Sequence, residues 1–170
     1  MDAVSLTCTP ASEANSLENG ELRVDGYDTL TQPLAGQCKA SSGYVRGYIR
    51  PRHNAADLVK YGNSPWVFLD GDANNYILAY GQAANNIRLY ARVAGGGALT
   101  ADWDCTGAFV ADEKLLVGIE YKASWIQLRV NGLVRATITT PVVFTTAPTT
   151  AYWGSNAVGT NQADATFDEP

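Results

Sequence analysis

The chain has 170 residues, 46% hydrophobic and 17% charged, which excludes a disordered polar segment. No apolar run approaches the ~18 residues that a spanning helix needs, so insertion into a membrane is not expected. The formal net charge of −5 argues against nucleic acid as the main partner, because phosphate recognition needs a basic surface.

Taken in chain order, the elements are almost all strands. Helix signals are nearly absent, since Gly, Asn, Thr and Pro interrupt the windows in which apolar residues would have to recur at three-and-four spacing. Met1–Cys8 has neither the basic start nor the apolar stretch of a secretory leader. Read as a native start, it implies folding in the cytoplasm of the host cell; read as a trimmed start, it leaves an extracellular protein open. Within it, Val4–Cys8 is strand-like. The strands that follow are Glu21–Val24, Gly43–Arg50, Trp66–Asp70, Tyr76–Tyr80, Ile87–Val93, Leu115–Lys122, Trp125–Val130 and Leu133–Thr139, each bounded by turn residues. Ala73-Asn74-Asn75 and Ala84-Asn85-Asn86 enter adjacent strands, a turn chemistry used twice. Asn131-Gly132 between two alternating flanks predicts a tight hairpin whose central residues both take positive φ. Short strands with turns every ~8–12 residues specify an all-β chain, an antiparallel β-sandwich or jelly roll. The uniform composition fits a single domain spanning 1–170.

From about Leu17 onward the order of motifs resembles the laminin-G-like, concanavalin-A-like jelly-roll family. Asn19-Gly20-Glu21-Leu22-Arg23-Val24-Asp25-Gly26 is similar to that family's opening strand, and Gly43–Pro51 to its next long strand. Ile126–Val134 resembles its late hairpin. Tyr152-Trp153-Gly154-Ser155 with Ala163–Glu169 resembles its closing segment. The resemblance implies a jelly-roll core over 17–170, preceded by an arm over 1–16. The family's usual last strand after Asp-Glu is not present before Pro170, so the arm is expected to fill an edge in its own subunit or, as a homo-oligomer, in a neighbour's.

Catalytic patterns are not found. Glycosidases of this fold resemble one another in a Glu-x-Asp-x-x-Glu strand, and that spacing does not occur here. His53 lies in a polar turn with no Gly-x-Ser-x-Gly nucleophile to serve. Cys8, Cys38 and Cys105 are odd in number and unpatterned, which fits buried thiols better than a disulfide framework or zinc site, though one disulfide stays open. Asp70, Asp72 and Asn74 offer oxygen ligands of the kind calcium prefers, but Asn75 stands where an EF-hand needs Gly. A turn without metal is the favoured reading, calcium the alternative, and no other cofactor is expected.

The most informative pattern is alternation. Along Gly43–Arg50, Val45, Gly47 and Ile49 share one face while Tyr44, Arg46, Tyr48 and Arg50 share the other. Arg88, Tyr90 and Arg92 stand opposite Ile87, Leu89, Ala91 and Val93, and Trp125 and Arg129 opposite Ile126, Leu128 and Val130. Aromatic rings stack on sugars and Arg forks pair with anions, so these outer faces suit an acidic glycan or an acidic protein surface. The competing reading is a solvated face whose Arg residues pair with Glu120 or Asp57. Three functions follow: a non-enzymatic virion component, most plausibly a bacteriophage capsid-decoration or tail protein assembled in the host cytoplasm; a carbohydrate-binding module or lectin; and a small glycosidase.

Overall fold

Strand-by-strand alternation builds the molecule, a computed structural model that describes residues 7–9, 17–18, 21–24, 29–34, 36–61, 65–155 and 165–168. In chain order the elements are β1 (Thr7–Thr9), β2 (Leu17–Glu18), β3 (Glu21–Val24), β4 (Thr29–Pro33), β5 (Cys38–Lys39) and β6 (Ser42–Pro51). A 3-10 helix (Ala55–Tyr61) follows, then β7 (Pro65–Asp72), β8 (Asn75–Ala83), β9 (Asn86–Arg92) and β10 (Leu99–Asp104). The chain closes with β11 (Leu115–Lys122), β12 (Trp125–Val130), β13 (Leu133–Thr139), β14 (Thr150–Trp153) and β15 (Ala165–Asp168). The 3-10 helix is too short for the twelve-residue periodicity that reveals an α-helix.

These strands form two antiparallel sheets. One has seven strands in the order β1-β4-β14-β7-β8-β9-β10; the other has eight, in the order β13-β12-β11-β6-β15-β3-β2 with β5 on β6. All eight predicted strands fall within observed ones, with only Val93 beyond the end of its strand. β2, β4, β5, β14 and β15 are not among the eight, being brief, and neither is β10, although Leu99, Ala101 and Trp103 alternate there with Thr100, Asp102 and Asp104. The arm's described part, β1, pairs with β4 of the same chain (Thr7↔Thr31, Thr9↔Thr29) and forms the edge of the seven-stranded sheet. Val4–Leu6 lie outside the described residues.

Inward faces make one core. Val67, Leu69, Ile77, Ala79, Ile87 and Leu89 of one sheet meet Val45, Ile49, Val117, Ile119, Ile126 and Leu128 of the other. The largest bridge is Trp153, fully buried on β14. Its ring lies on Gly47 of β6, where an added Cβ would come within 2.8 Å of the indole, and its centroid is 6.4 Å from that of Phe167 on β15. The indole Nε1 donates to Gln32 Oε1 at 3.0 Å, so the buried amide of β4 satisfies the buried donor of β14. A register shift between Pro65 and Val67 breaks alternation in β7. It accompanies burial of Trp66, which packs edge-on to Phe109 at 5.4 Å.

Local chemistry agrees with the turns. Asn131 and Gly132 have φ of 52° and 78°, as a hairpin whose twist matches its strands requires. Asn131 also bonds β11 twice, its backbone N–H to the Leu116 carbonyl (2.8 Å) and its Oδ1 accepting from the Leu116 N–H (2.9 Å). Ala73-Asn74 and Ala84-Asn85 are indeed the turns β7–β8 and β8–β9. Cys38 and Cys105 are buried free thiols, and burial pushes both pKa values up, that of Cys105 to about 11. The side chain of Cys8 is outside what is described.

Gly47→Ala should lower unfolding free energy in urea by about 1–3 kcal/mol through overpacking against Trp153. Removal of residues 1–9 should also lower it, by about 1–3 kcal/mol for the lost β1–β4 ladder; unchanged stability would show that β1 contributes nothing to the edge.

Candidate functional site

The nine residues that alternation places on outer strand faces, with the sharing of a sheet left open, are divided between two sides. β6 and β12 flank β11 in the eight-stranded sheet, so Tyr44, Arg46, Tyr48, Arg50, Trp125 and Arg129 share its outer face. β9 lies in the other sheet, so Arg88, Tyr90 and Arg92 point away on the opposite side of the sandwich. Every strand of either sheet has an inner and an outer face, and alternation along one strand cannot tell which outer face it shares.

On the eight-stranded side, Tyr44 is 53% exposed and Arg46 is exposed. Lys114 Nζ sits 4.3 Å from the Tyr48 ring centroid and Lys122 Nζ 5.5 Å from that of Trp125. Arg129 is committed to its own sheet, with Nε to Glu120 Oε2 at 3.0 Å and NH2 to Gln127 Oε1 at 2.9 Å. Arg50 donates to the Asp112 carbonyl at 3.2 Å. This side is a cationic surface with part of its charge engaged internally.

On the seven-stranded side, Arg88 forms a bidentate pair with Asp102 at 2.7 and 2.8 Å. The pair holds the Asp102 carboxyl below its ordinary 3.8 and raises the Arg88 guanidinium. A fork closed on Asp102 is not open to a ligand anion, so for Arg88 and Arg129 the self-paired reading describes the geometry.

The same face carries aromatic residues that the search for Arg passed over. Phe68 of β7, Tyr76 of β8, Tyr90 of β9 and Tyr152 of β14 are all half-buried and outward. Tyr152 and Phe68 have centroids 5.9 Å apart, Phe68 and Tyr76 5.7 Å, and Tyr76 and Tyr90 5.8 Å with planes within 9°. Four rings thus run unbroken across four neighbouring strands. The signal was present: Phe68 alternates with Val67 and Leu69, Tyr76 with Ile77, and Tyr152 with Ala151 and Trp153. Burial pushes the pKa of both Tyr76 and Tyr152 up; Tyr90 adds to the first by hydrogen bonding and Asp70 to the second by its charge.

The expected calcium ligands separate by role. Asp70 is outward on β7 beside this aromatic run; burial and repulsion by Asp72 raise its carboxyl above 3.8. Asp72 closes the β7–β8 turn, accepting from the Asn74 N–H (2.8 Å) and Asn75 Nδ2 (2.9 Å), and its carboxyl is lowered by hydrogen bonds from Thr146 and these partners. Asn74 is exposed at the turn. A cation at these oxygens would have to displace the donors of Asn74 and Asn75, and among the described residues no group of three or more His, Cys, Asp or Glu side chains is placed to hold a metal. Asn75, 1% exposed, ties three segments together. Its Nδ2 also donates to Thr145 Oγ1 (2.9 Å), and its Oδ1 accepts from the N–H groups of Ala94 (3.1 Å) and Thr145 (3.0 Å). The Gly-rich tip after β9 is pinned this way, with Gly95 N–H also bonding the Asn74 carbonyl at 3.1 Å. Asn156–Gln162, the other polar loop of the sequence, lies outside the described residues.

Comparison with solved structures places this arrangement among known architectures. Domain 4 of an extracellular GH43 arabinanase from Geobacillus stearothermophilus, in complex with arabinotriose, superposes with a TM-score of 0.61 at 16% identity, covering 99% of this chain and 74% of that one. The binding domain of botulinum neurotoxin DC in complex with SialylT gives 0.65 at 10% identity over 98% of this chain. Domains LG4-5 of the mouse laminin α1 chain give 0.62 at 13% over 94%. The fold is the laminin-G-like, concanavalin-A-like jelly roll. This chain spans 42% of the neurotoxin chain and 43% of the laminin chain. No protein-family model matches it, and no curated protein matches it by sequence. Among the described residues no helix is long and apolar enough to cross a membrane.

Asn75→Ala should destabilise by about 2–4 kcal/mol, since it orphans buried partners in three segments at once. Asp72, Asp102 and Asp104 all titrate below 3.8 in the folded chain. Their stabilisation is therefore complete above the ordinary aspartate range and is lost as pH falls through the lowered values. Asp102→Asn, which breaks a half-exposed pair, should cost no more than about 1 kcal/mol at neutral pH, with a smaller loss in acid, read by urea unfolding across pH.

Proposed function

We propose that this jelly roll is a non-catalytic glycan-binding domain that seats sugar rings on the aromatic run of the seven-stranded sheet. The observation that carries the reading is the continuity of Tyr152, Phe68, Tyr76 and Tyr90 across four strands. Half-exposed rings on rigid strands present apolar faces and hydroxyls with little side-chain entropy left to lose on binding. Two of the structural neighbours were solved with arabinotriose or SialylT bound, which supports the same assignment. A non-catalytic role is supported by the carboxylates of this face. Hydrolysis of a glycosidic bond uses two of them across the sugar, whereas Asp102 is held by Arg88 and Asp72 by its turn.

The finer setting, a bacteriophage virion protein, draws on the difference between the two outer faces. In that setting the cationic face bearing Arg46, Arg50, Lys114 and Lys122 docks on an acidic particle surface while the aromatic face stays free for host glycans. Detection of the chain at fixed stoichiometry in purified particles by mass spectrometry tests this setting.

For the glycan reading, an array of surface oligosaccharides followed by calorimetry is decisive. Tyr90→Ala should weaken binding of the strongest hit about 5–30-fold, the equivalent of about 1–2 kcal/mol, with the melting temperature unchanged. Equal binding by wild type and variant would remove the aromatic run from the site.

A further inference from the structure

Tyr76 has a charged neighbour on each side. In the row Thr150, Asp70, Tyr76, Arg92 each residue is the register partner of the next. Asp70 and Arg92 are therefore two strand spacings apart, roughly 10 Å between Cα atoms, with the Tyr76 position between them. They are also in different states of engagement. Among the described residues no group donates a hydrogen bond to the Asp70 carboxylate, which burial and repulsion by Asp72 shift. The Arg92 guanidinium gives Nε to the Gly96 carbonyl at 3.3 Å and lies beside the Tyr76 hydroxyl, which leaves further N–H donors of its five. A half-buried carboxylate with no donor among the described residues, at the edge of an aromatic run, is an acceptor in want of hydroxyls.

Resting on the glycan reading above, we propose that Asp70 and Arg92 are the polar contacts of a subsite centred on Tyr76 that takes one neutral sugar residue with two adjacent hydroxyls. The two carboxylate oxygens of Asp70 accept from the hydroxyl pair, and Arg92 donates to an oxygen at the opposite edge of the sugar. The local charge selects a neutral ligand. Arg88 is already neutralised by Asp102, so two carboxylates, Asp70 and Asp72, stand against the single guanidinium of Arg92, and an anionic sugar is repelled. An acidic glycan, one of the partners the sequence suggested for its outer faces, is thus disfavoured on this face, in contrast to the cationic face across the sandwich.

The chemistry also gives the site a pH dependence. The groups around Asp70 are Asp72 on its own strand, Tyr152 on β14, Tyr76 on β8 and Arg92 beyond it. Asp72, held low by its turn, remains ionised as Asp70 takes up a proton. Protonation removes the charge-assisted acceptor pair, so affinity falls with pH through a range above that of an ordinary aspartate.

The test uses an array of neutral and uronic-acid oligosaccharides probed with wild type, Asp70→Asn, Arg92→Gln and Tyr90→Ala, and calorimetry on the strongest hit at about pH 7 and pH 4. The expected result is binding confined to neutral sugars, roughly 10-fold or more weaker in Asp70→Asn and in Arg92→Gln. Wild type should also lose affinity in acid, a loss that Asp70→Asn lacks. Preference for uronic-acid sugars, or undiminished binding by Asp70→Asn, overturns the subsite while the loss in Tyr90→Ala still upholds the glycan reading. No glycan bound by the wild type overturns both.

Discussion

The sandwich depends on how one large side chain crosses it. Trp153 starts from β14, in the middle of the seven-stranded sheet, and lays its indole on the bare backbone of Gly47 in β6, in the middle of the other. The contact sets the distance between the sheets at that point, because any side chain at 47 would occupy the indole's volume. The same indole carries a polar N–H into the core, and Gln32 on the adjacent strand is buried to meet it. Tryptophan, glycine and glutamine are therefore one unit: the missing Cβ makes room, the ring fills it, and the amide removes the desolvation penalty of an unpaired donor. With the inner faces occupied in this way, outward residues are free to differ, and the two outer faces do.

Their difference follows from which strands are neighbours. β6 and β11, with Lys114 just ahead of β11, place Arg46, Arg50, Lys114 and Lys122 on one side, where Glu120 of β11 answers Arg129 of β12. On the other side β14, β7, β8 and β9 set aromatic rings in a continuous line, and Arg88, one of the outward Arg residues of β9, is closed by Asp102. One sandwich thereby presents a charged surface and an apolar, hydroxyl-fringed surface about one core thickness apart. Each is built on strands, so its side chains are positioned by the ladder rather than by loops.

Anchoring of the aromatic face extends to its rim. Asn75 holds the β7–β8 turn, the tip after β9 and the segment near Thr145 with one amide group. Asp72 completes the turn and in doing so stays close enough to Asp70 to raise its carboxyl. Asp72, whose segment the sequence reads as a turn with calcium as the alternative, shapes the turn here, and its charge reaches Asp70 on the face next to it.

Much of this was legible in the residues alone. Period-two alternation identified eight strands and, for three of them, the inward side, Asn131-Gly132 identified the hairpin, and the order of motifs pointed to the jelly roll, because these signals are local and depend only on backbone geometry. The short 3-10 helix and β2, β4, β5, β14 and β15 were not, since brief segments acquire their structure from partners, and the alternation of β10 was passed over. The inward turn of Trp66 beside a register shift also ran against the local pattern. Above all, alternation along a strand states that Arg88 and Arg46 both face away from the core but is silent on whether they face the same way. That is decided by strand order, which is set by contacts between residues as distant as Trp153 and Gly47. The sequence by itself determined what kind of sandwich this is and which side chains stand outside it; only the tertiary structure decided which of them meet, because adjacency across a sheet is a property of the packed whole.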